Sequence, residues 1–235
     1  MQKALKYAII EKIVFEGDFV MQSASDRFEN LFKDKVLHYR ELNKTVIHGQ
    51  TVFAGSSLME QFPIEQFISE NNEDVIIYNR GIGGYLSSDL LFSIQDCILD
   101  LQPSRLFINI GTNDLSMENP ISDMIEVYDA IIFKVIESFP DIEIYFMAYY
   151  PINYDVAIER MKPTLKIRNN EKIKLANMEV EKLAKKYGQK YIDVNAGITD
   201  SNGNLKAEYT VEGMHINEDG YKEVYTELVK YIKSK

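Results

Sequence analysis

A chain of 235 residues, 46% of them hydrophobic, can enclose one sizeable core, and no glycine- or proline-rich linker divides it, so one main domain is expected. A formal net charge of −10 argues against a phosphate-collecting face, which removes nucleic acid from the expected partners and disfavours anionic lipid. A single cysteine, Cys97, rules out an intramolecular disulfide, and its apolar neighbours Leu90, Leu91, Ile94 and Ile98 mark it as a small buried hydrophobe.

The first lysines and short apolar run are interrupted by Glu11 and Lys12, so no signal peptide is read and the cytoplasm is the expected compartment. No apolar run is long enough to span a bilayer, so stable membrane insertion is not expected. Residues 1–48 read as an amphipathic helical extension, with Phe15, Phe19, Phe28, Leu31, Phe32, Val36 and Leu37 at spacings near three and four. Its apolar face suggests a cap, a lid or a homo-oligomer contact. Residues 49–235 change character, alternating short β-rich runs with long helical patterns. The expected strands are Thr51 to Ala54, Val75 to Asn79, Leu106 to Ile110, Ile142 to Ala148 and Tyr191 to Val194. Helices are expected over Ser88 to Leu101, Ile121 to Phe139, Arg168 to Tyr187 and Glu218 to Lys233, the last capped by Asn217, with Pro151 to Thr164 as a long loop. This rhythm implies right-handed βαβ units, hence a three-layer α/β/α domain with a five-stranded parallel sheet and ligands at the strands' carboxyl ends.

Four segments fall at that edge. The first strand runs into Gly55-Ser56-Ser57-Leu58, where a strand-to-helix turn either caps a helix with Ser57 or presents its hydroxyl as a nucleophile beside its own N–H and the positive end of a helix. After the second strand, Gly81-Ile82-Gly83-Gly84-Tyr85 allows tight turning and close approach to bare backbone. It lacks the spacing of a nucleotide-binding loop, so a backbone donor fits it better. The third strand delivers Gly111-Thr112-Asn113-Asp114, which reads as turn chemistry or as a side-chain amide aimed at the same edge. Finally Glu212-Gly213-Met214-His215 sets a carboxylate three residues before one of only three histidines, as a base and its orienting partner require. Asp193 and Asp200 are alternative partners for that histidine. His38 and His48 lie in the extension, away from any strand-end serine.

In this order the four segments resemble the SGNH (GDSL-like) hydrolases, whose blocks contribute a serine, a glycine, an asparagine and a histidine. The matching positions are Ser57, Gly84, Asn113 and His215, and the resemblance spans about residues 50 to 233. It implies a flavodoxin-like SGNH fold and a serine esterase or acylhydrolase acting through an acyl-enzyme. Ser57 would be nucleophile, His215 base and Glu212 the triad acid, with the N–H groups of Ser57 and Gly84 and the amide of Asn113 holding the oxyanion. Two positions depart from the pattern: Ser56 stands where aspartate precedes the nucleophile, and Glu212 replaces an aspartate. No metal or cofactor is called for, since the histidines are scattered and the cysteine is single.

The family includes lipases, thioesterases and carbohydrate O-acetyl esterases. A small soluble ester is the expected substrate, with Tyr85, Tyr149, Tyr150 and Tyr154 as candidate walls because they follow strand ends. The competing expectations are a non-catalytic ligand-binding module on the same scaffold and a flavodoxin-like regulator.

Overall fold

The computed structural model describes the backbone of residues 18–234 and the side chains from Gln22 onward, so Phe15 and the side chain of Phe19 lie outside the described residues. Five parallel strands form the sheet: β1 (Thr51–Gly55), β2 (Ile77–Asn79), β3 (Arg105–Asn109), β4 (Glu143–Met147) and β5 (Lys190–Ile192), in the order β2-β1-β3-β4-β5. All five expected strands form, with ends displaced by a few residues. Their near-continuous apolar character follows from burial on both faces. Val52, Ala54, Leu106, Ile108, Ile144 and Phe146 enter one core cluster, while Phe53, Phe107, Tyr145 and Met147 enter the other.

Helices divide between these clusters. On the first face lie α1 (Asp18–Arg27), a π turn (Phe28–Phe32), α2 (Lys33–Asn43), and two short helices α5 (Ser87–Phe92) and α6 (Ile94–Cys97). The longer α7 (Ile121–Ser138) and α9 (Asn170–Lys186) complete that face, with short α8 (Lys162–Ile167) ahead of α9. The second face carries α3 (Ser57–Glu60), α4 (Ile64–Glu70) and α10 (Glu218–Ile232). Asn217 caps α10 as expected, its side chain accepting from the Gly220 N–H at 2.9 Å.

Three expectations change. The helix expected over Ser88 to Leu101 breaks at Ser93, whose hydroxyl donates back to the Asp89 carbonyl at 2.8 Å and competes with the helical ladder. The long loop expected up to Thr164 ends earlier, in α8, and Asn169 then caps α9 by accepting from the Lys172 N–H. In the extension Phe32, Val36 and Tyr39 join the core, whereas Leu31 and Leu37 face outward, because the wider π turn shifts which positions point inward. Among the described residues no helix is long and apolar enough to cross a membrane.

Candidate active site

The register between β1 and β3 pairs Gly55 with Asn109, so the segments following the two strands leave the sheet side by side. A side chain on Gly55 would meet the Asn109 carbonyl oxygen at 2.1 Å, which explains glycine at this crossing. Backbone bonds then fix the turn: Ile82 N–H donates to the Gly55 carbonyl at 3.0 Å, and the Met59 and Glu60 N–H groups donate to that of Ser56. Ser56 is buried, and its hydroxyl lies 3.5 Å from that of Thr112. The turn is therefore supported by backbone rather than by a carboxylate at position 56. Ser57 opens α3, a helix of only four residues, so what it offers an anion is individual N–H groups rather than a summed dipole.

The Ser57 hydroxyl lies 3.0 Å from His215 Nε2, across 158 positions of sequence. On the other side of the ring, His215 Nδ1 lies 2.6 Å from Glu212 Oε1. A carboxylate can only accept, so Nδ1 carries the ring proton and Nε2 turns a lone pair to the serine. Glutamate reaches because its loop is tight: Val211 N–H donates to the His215 carbonyl at 2.9 Å, and the Thr210 hydroxyl accepts from Gly213 N–H at 2.8 Å. Gly213 has φ +100, and a Cβ there would press on Ala157 at 2.6 Å. Asp193 and Asp200 are spent elsewhere, accepting from the N–H groups of Asn195 and of Asn202 and Asn204. The structure thus brings Glu212 to the histidine, and neither aspartate.

Asn113 Nδ2 donates to the Tyr85 carbonyl at 2.9 Å, which ties the amide to the glycine loop and leaves its second N–H free of that bond. Gly84 adopts φ +82, a region that favours glycine. Among the described residues the N–H groups of Ser57 and Gly84 donate to no protein acceptor, whereas the N–H of Gly83 is held by Glu60 at 2.6 Å. The two open donors belong to the segments that carry the serine and meet the asparagine.

Arg168, which no motif announced, sits behind this group. It is buried, donates to the Thr112 carbonyl at 2.8 Å and approaches Asn113 Oδ1 at 3.4 Å, while its Nε has no partner among the described residues. Burial pulls its pKa down to about 10, with the charge of Glu212 acting in the other direction, so it stays a cation near neutrality. Its only trace in the sequence is an arginine at the start of the helix expected over Arg168 to Tyr187, where nothing marks it as part of the site. Asp114 closes the loop from the other side. It accepts from the N–H and hydroxyl of Ser87, and burial raises its carboxyl to about 6 despite those bonds.

Three of the proposed tyrosine walls are corrected. Tyr85, Tyr149 and Tyr150 are buried in the core, with the hydroxyl of Tyr85 on Ser93 and that of Tyr149 on the Ile110 carbonyl. A residue just past a parallel strand still points into the layer beneath the helices, so position after a strand end does not imply exposure. Tyr154 is exposed, on a loop whose Asn153 N–H donates to the Gly213 carbonyl at 2.8 Å.

The sequence matches the model of the GDSL-like Lipase/Acylhydrolase family over residues 53–223. The chain belongs to that family. It is a serine ester hydrolase by class. Among solved structures it is similar to a Streptococcus pneumonia protein provisionally described as a platelet activating factor, at 29% identity and a TM-score of 0.78, covering 91% of this chain and 98% of that one. A GDSL-like lipase from Bacteroides thetaiotaomicron shares the fold at 19% identity and a TM-score of 0.70, covering 84% of this chain and 97% of its own. The acetyl xylan esterase AlAXEase does so at 17% and 0.62, over 77% and 98%. No curated protein matches the chain.

Proposed function

We propose that this GDSL-like hydrolase cleaves a small carboxylic ester through an acyl-enzyme on Ser57. The observation that carries the reading is the alignment of hydroxyl, imidazole and carboxylate at 3.0 and 2.6 Å. His215 takes the Ser57 proton as the oxygen bonds to the ester carbonyl carbon, and Glu212 holds the resulting imidazolium. The carbonyl oxygen, now anionic, meets the open N–H groups of Ser57 and Gly84 and the Asn113 amide. Collapse breaks the bond to the alcohol, which leaves with the proton from His215. Water, deprotonated by the same ring, then releases the acid and restores Ser57.

Two features bear on the substrate. Ser57 is half-buried between fully buried Ser56 and Leu58, which suits a short acyl group. Exposed Tyr154, Val156 and Val211 lie on the two loops joined by the bond from Asn153 N–H to the Gly213 carbonyl, and we assign this apolar surface to the alcohol part. The test combines a fluorophosphonate probe with p-nitrophenyl esters of increasing acyl length. Labelling of wild type, none of Ser57→Ala, and turnover highest on acetyl or butyryl esters are expected. An unlabelled wild-type chain would instead favour a ligand-binding module on the same scaffold.

A further inference from the structure

The loop carrying Gly84 is intrinsically the loosest part of this site, since three of the four residues Gly81 to Gly84 are glycine and backbone freedom there is large. The helices that precede β1 hold it at successive points. The buried hydroxyl of Tyr39 donates to the Gly81 carbonyl at 2.7 Å. Lys35 pairs with Glu60 at 2.9 Å, and the other oxygen of Glu60 takes the Gly83 N–H. Phe32 stands 3.8 Å from where a Cβ on Gly84 would be, and meets the Tyr85 ring edge-on at 4.7 Å. Arg27 closes the series. Its Nη2 donates to the Gly84 carbonyl at 2.8 Å, while its Nε bonds both oxygens of Asp89 at 3.0 and 2.9 Å, and Asp89 in turn accepts from the Leu86 N–H.

These bonds bear on a single peptide plane. The Gly84 N–H belongs to the Gly83–Gly84 peptide, which lies between two anchored planes. Glu60 holds the preceding one through the Gly83 N–H, and Arg27 holds the following one through the Gly84 carbonyl. Asn113 fixes the next plane again, through the Tyr85 carbonyl. With both neighbours held, the direction of the Gly84 N–H is set before any substrate arrives, as electrostatic preorganisation requires.

We propose that the helices before β1 are a positioning element for the oxyanion donor on Gly84, with Arg27 as its principal positioning residue. The inference rests on the ester-hydrolase mechanism proposed above. Arg27 touches no reacting atom. Its Nη2 serves the Asp89 carboxylate at 2.9 Å and the Gly84 carbonyl together while Nε stays on the same carboxylate, a rigid planar grip that the ammonium of lysine, on its flexible stem, does not reproduce.

Arg27→Lys is therefore the informative variant: it keeps a cation for buried Asp89 and loses the planar grip that fixes the Gly84 carbonyl. Removing an oxyanion donor costs about 10²–10³ in rate, so misdirecting one is expected to lower kcat about tenfold on p-nitrophenyl acetate, with KM and the pH profile essentially unchanged. Phenylboronic acid, whose tetrahedral adduct on serine fills the same donors, should bind about tenfold more weakly in parallel. Deuterium uptake over residues 80–86 should be faster. Phe32→Leu, which leaves every hydrogen bond in place but removes the ring 5.2 Å from the Arg27 guanidinium, should show a smaller change of the same kind. Unchanged uptake with unchanged kcat in Arg27→Lys would overturn the proposal, as would a loss of kcat without loss of boronate affinity. If fluorophosphonate leaves wild-type Ser57 unlabelled, the hydrolase reading fails by itself, and the exchange measurement alone then decides whether Arg27 holds the loop.

Discussion

At the scale of single residues, the site depends on groups whose partners are few and defined. Glu212 is the acceptor that His215 Nδ1 has, at 2.6 Å, so Glu212→Gln should misorient the ring and lower kcat on p-nitrophenyl acetate by well over tenfold, while fluorophosphonate labelling slows in step. Arg168 acts at one remove. Arg168→Lys retains a charge near Glu212 but gives up the planar donor that fixes the Thr112 carbonyl and the Asn113 amide, and a fall in kcat on the order of tenfold is expected in steady-state assays. Asp114 allows a signed test of pH. Its folded pKa, about 6, lies above the ordinary 3.8, so the protonated form is favoured by folding. Its contribution is complete below the unfolded value and disappears as pH rises through 6. Stability of wild type relative to Asp114→Asn should therefore decline between pH 4 and 7, by on the order of 2 kcal/mol in urea titrations, and stay level above.

At the scale of elements, α10 does more than close the second core. The buried hydroxyl of Tyr221 donates to the Leu58 carbonyl at 2.9 Å, and its ring stacks on Phe62 at 4.8 Å, so the last helix grips the turn behind Ser57. Tyr221→Phe keeps the ring and strands that carbonyl, which should cost about 1–3 kcal/mol by thermal or chemical unfolding. The strands and the longer helices were legible because burial on both faces or on one stripe leaves a period in the residues. Their ends were less so, since strand pairing stops where β2 and β5 run out of neighbours, a matter of tertiary register. The break at Ser93 was hidden because a serine hydroxyl turned to the Asp89 carbonyl leaves the apolar period of Leu90, Leu91, Ile94 and Ile98 intact. The serine, glycine, asparagine and histidine segments were legible through order and spacing, and the Glu212–His215 contact because both ends lie within one turn. Arg168 and Arg27 were not, as each acts through backbone carbonyls 56 or 57 positions away, and such contacts impose no pattern on sequence. Nor could sequence position distinguish buried Tyr149 and Tyr150 from exposed Tyr154.

At the scale of the whole molecule, the sheet separates two cores and the N-terminal helices belong to one of them. Cys97 lies at the centre of that core, fully buried, and burial pushes its thiol up to about 12. A disulfide reagent should therefore leave the native protein unmodified and react only through opening of that layer, so the labelling rate in mild urea should track global unfolding measured by circular dichroism. Exposed Leu31 and Leu37 stay outside this packing. Because base and carboxylate ride on a single turn pinned by Gly213 against Ala157, they shift as a unit, and a displaced turn loses Ser57 while keeping its own internal bond. A displacement there that reverses more slowly than turnover would then divide a preparation into competent and silent molecules instead of slowing each one, so burst amplitude would shrink while turnover per titrated centre held constant.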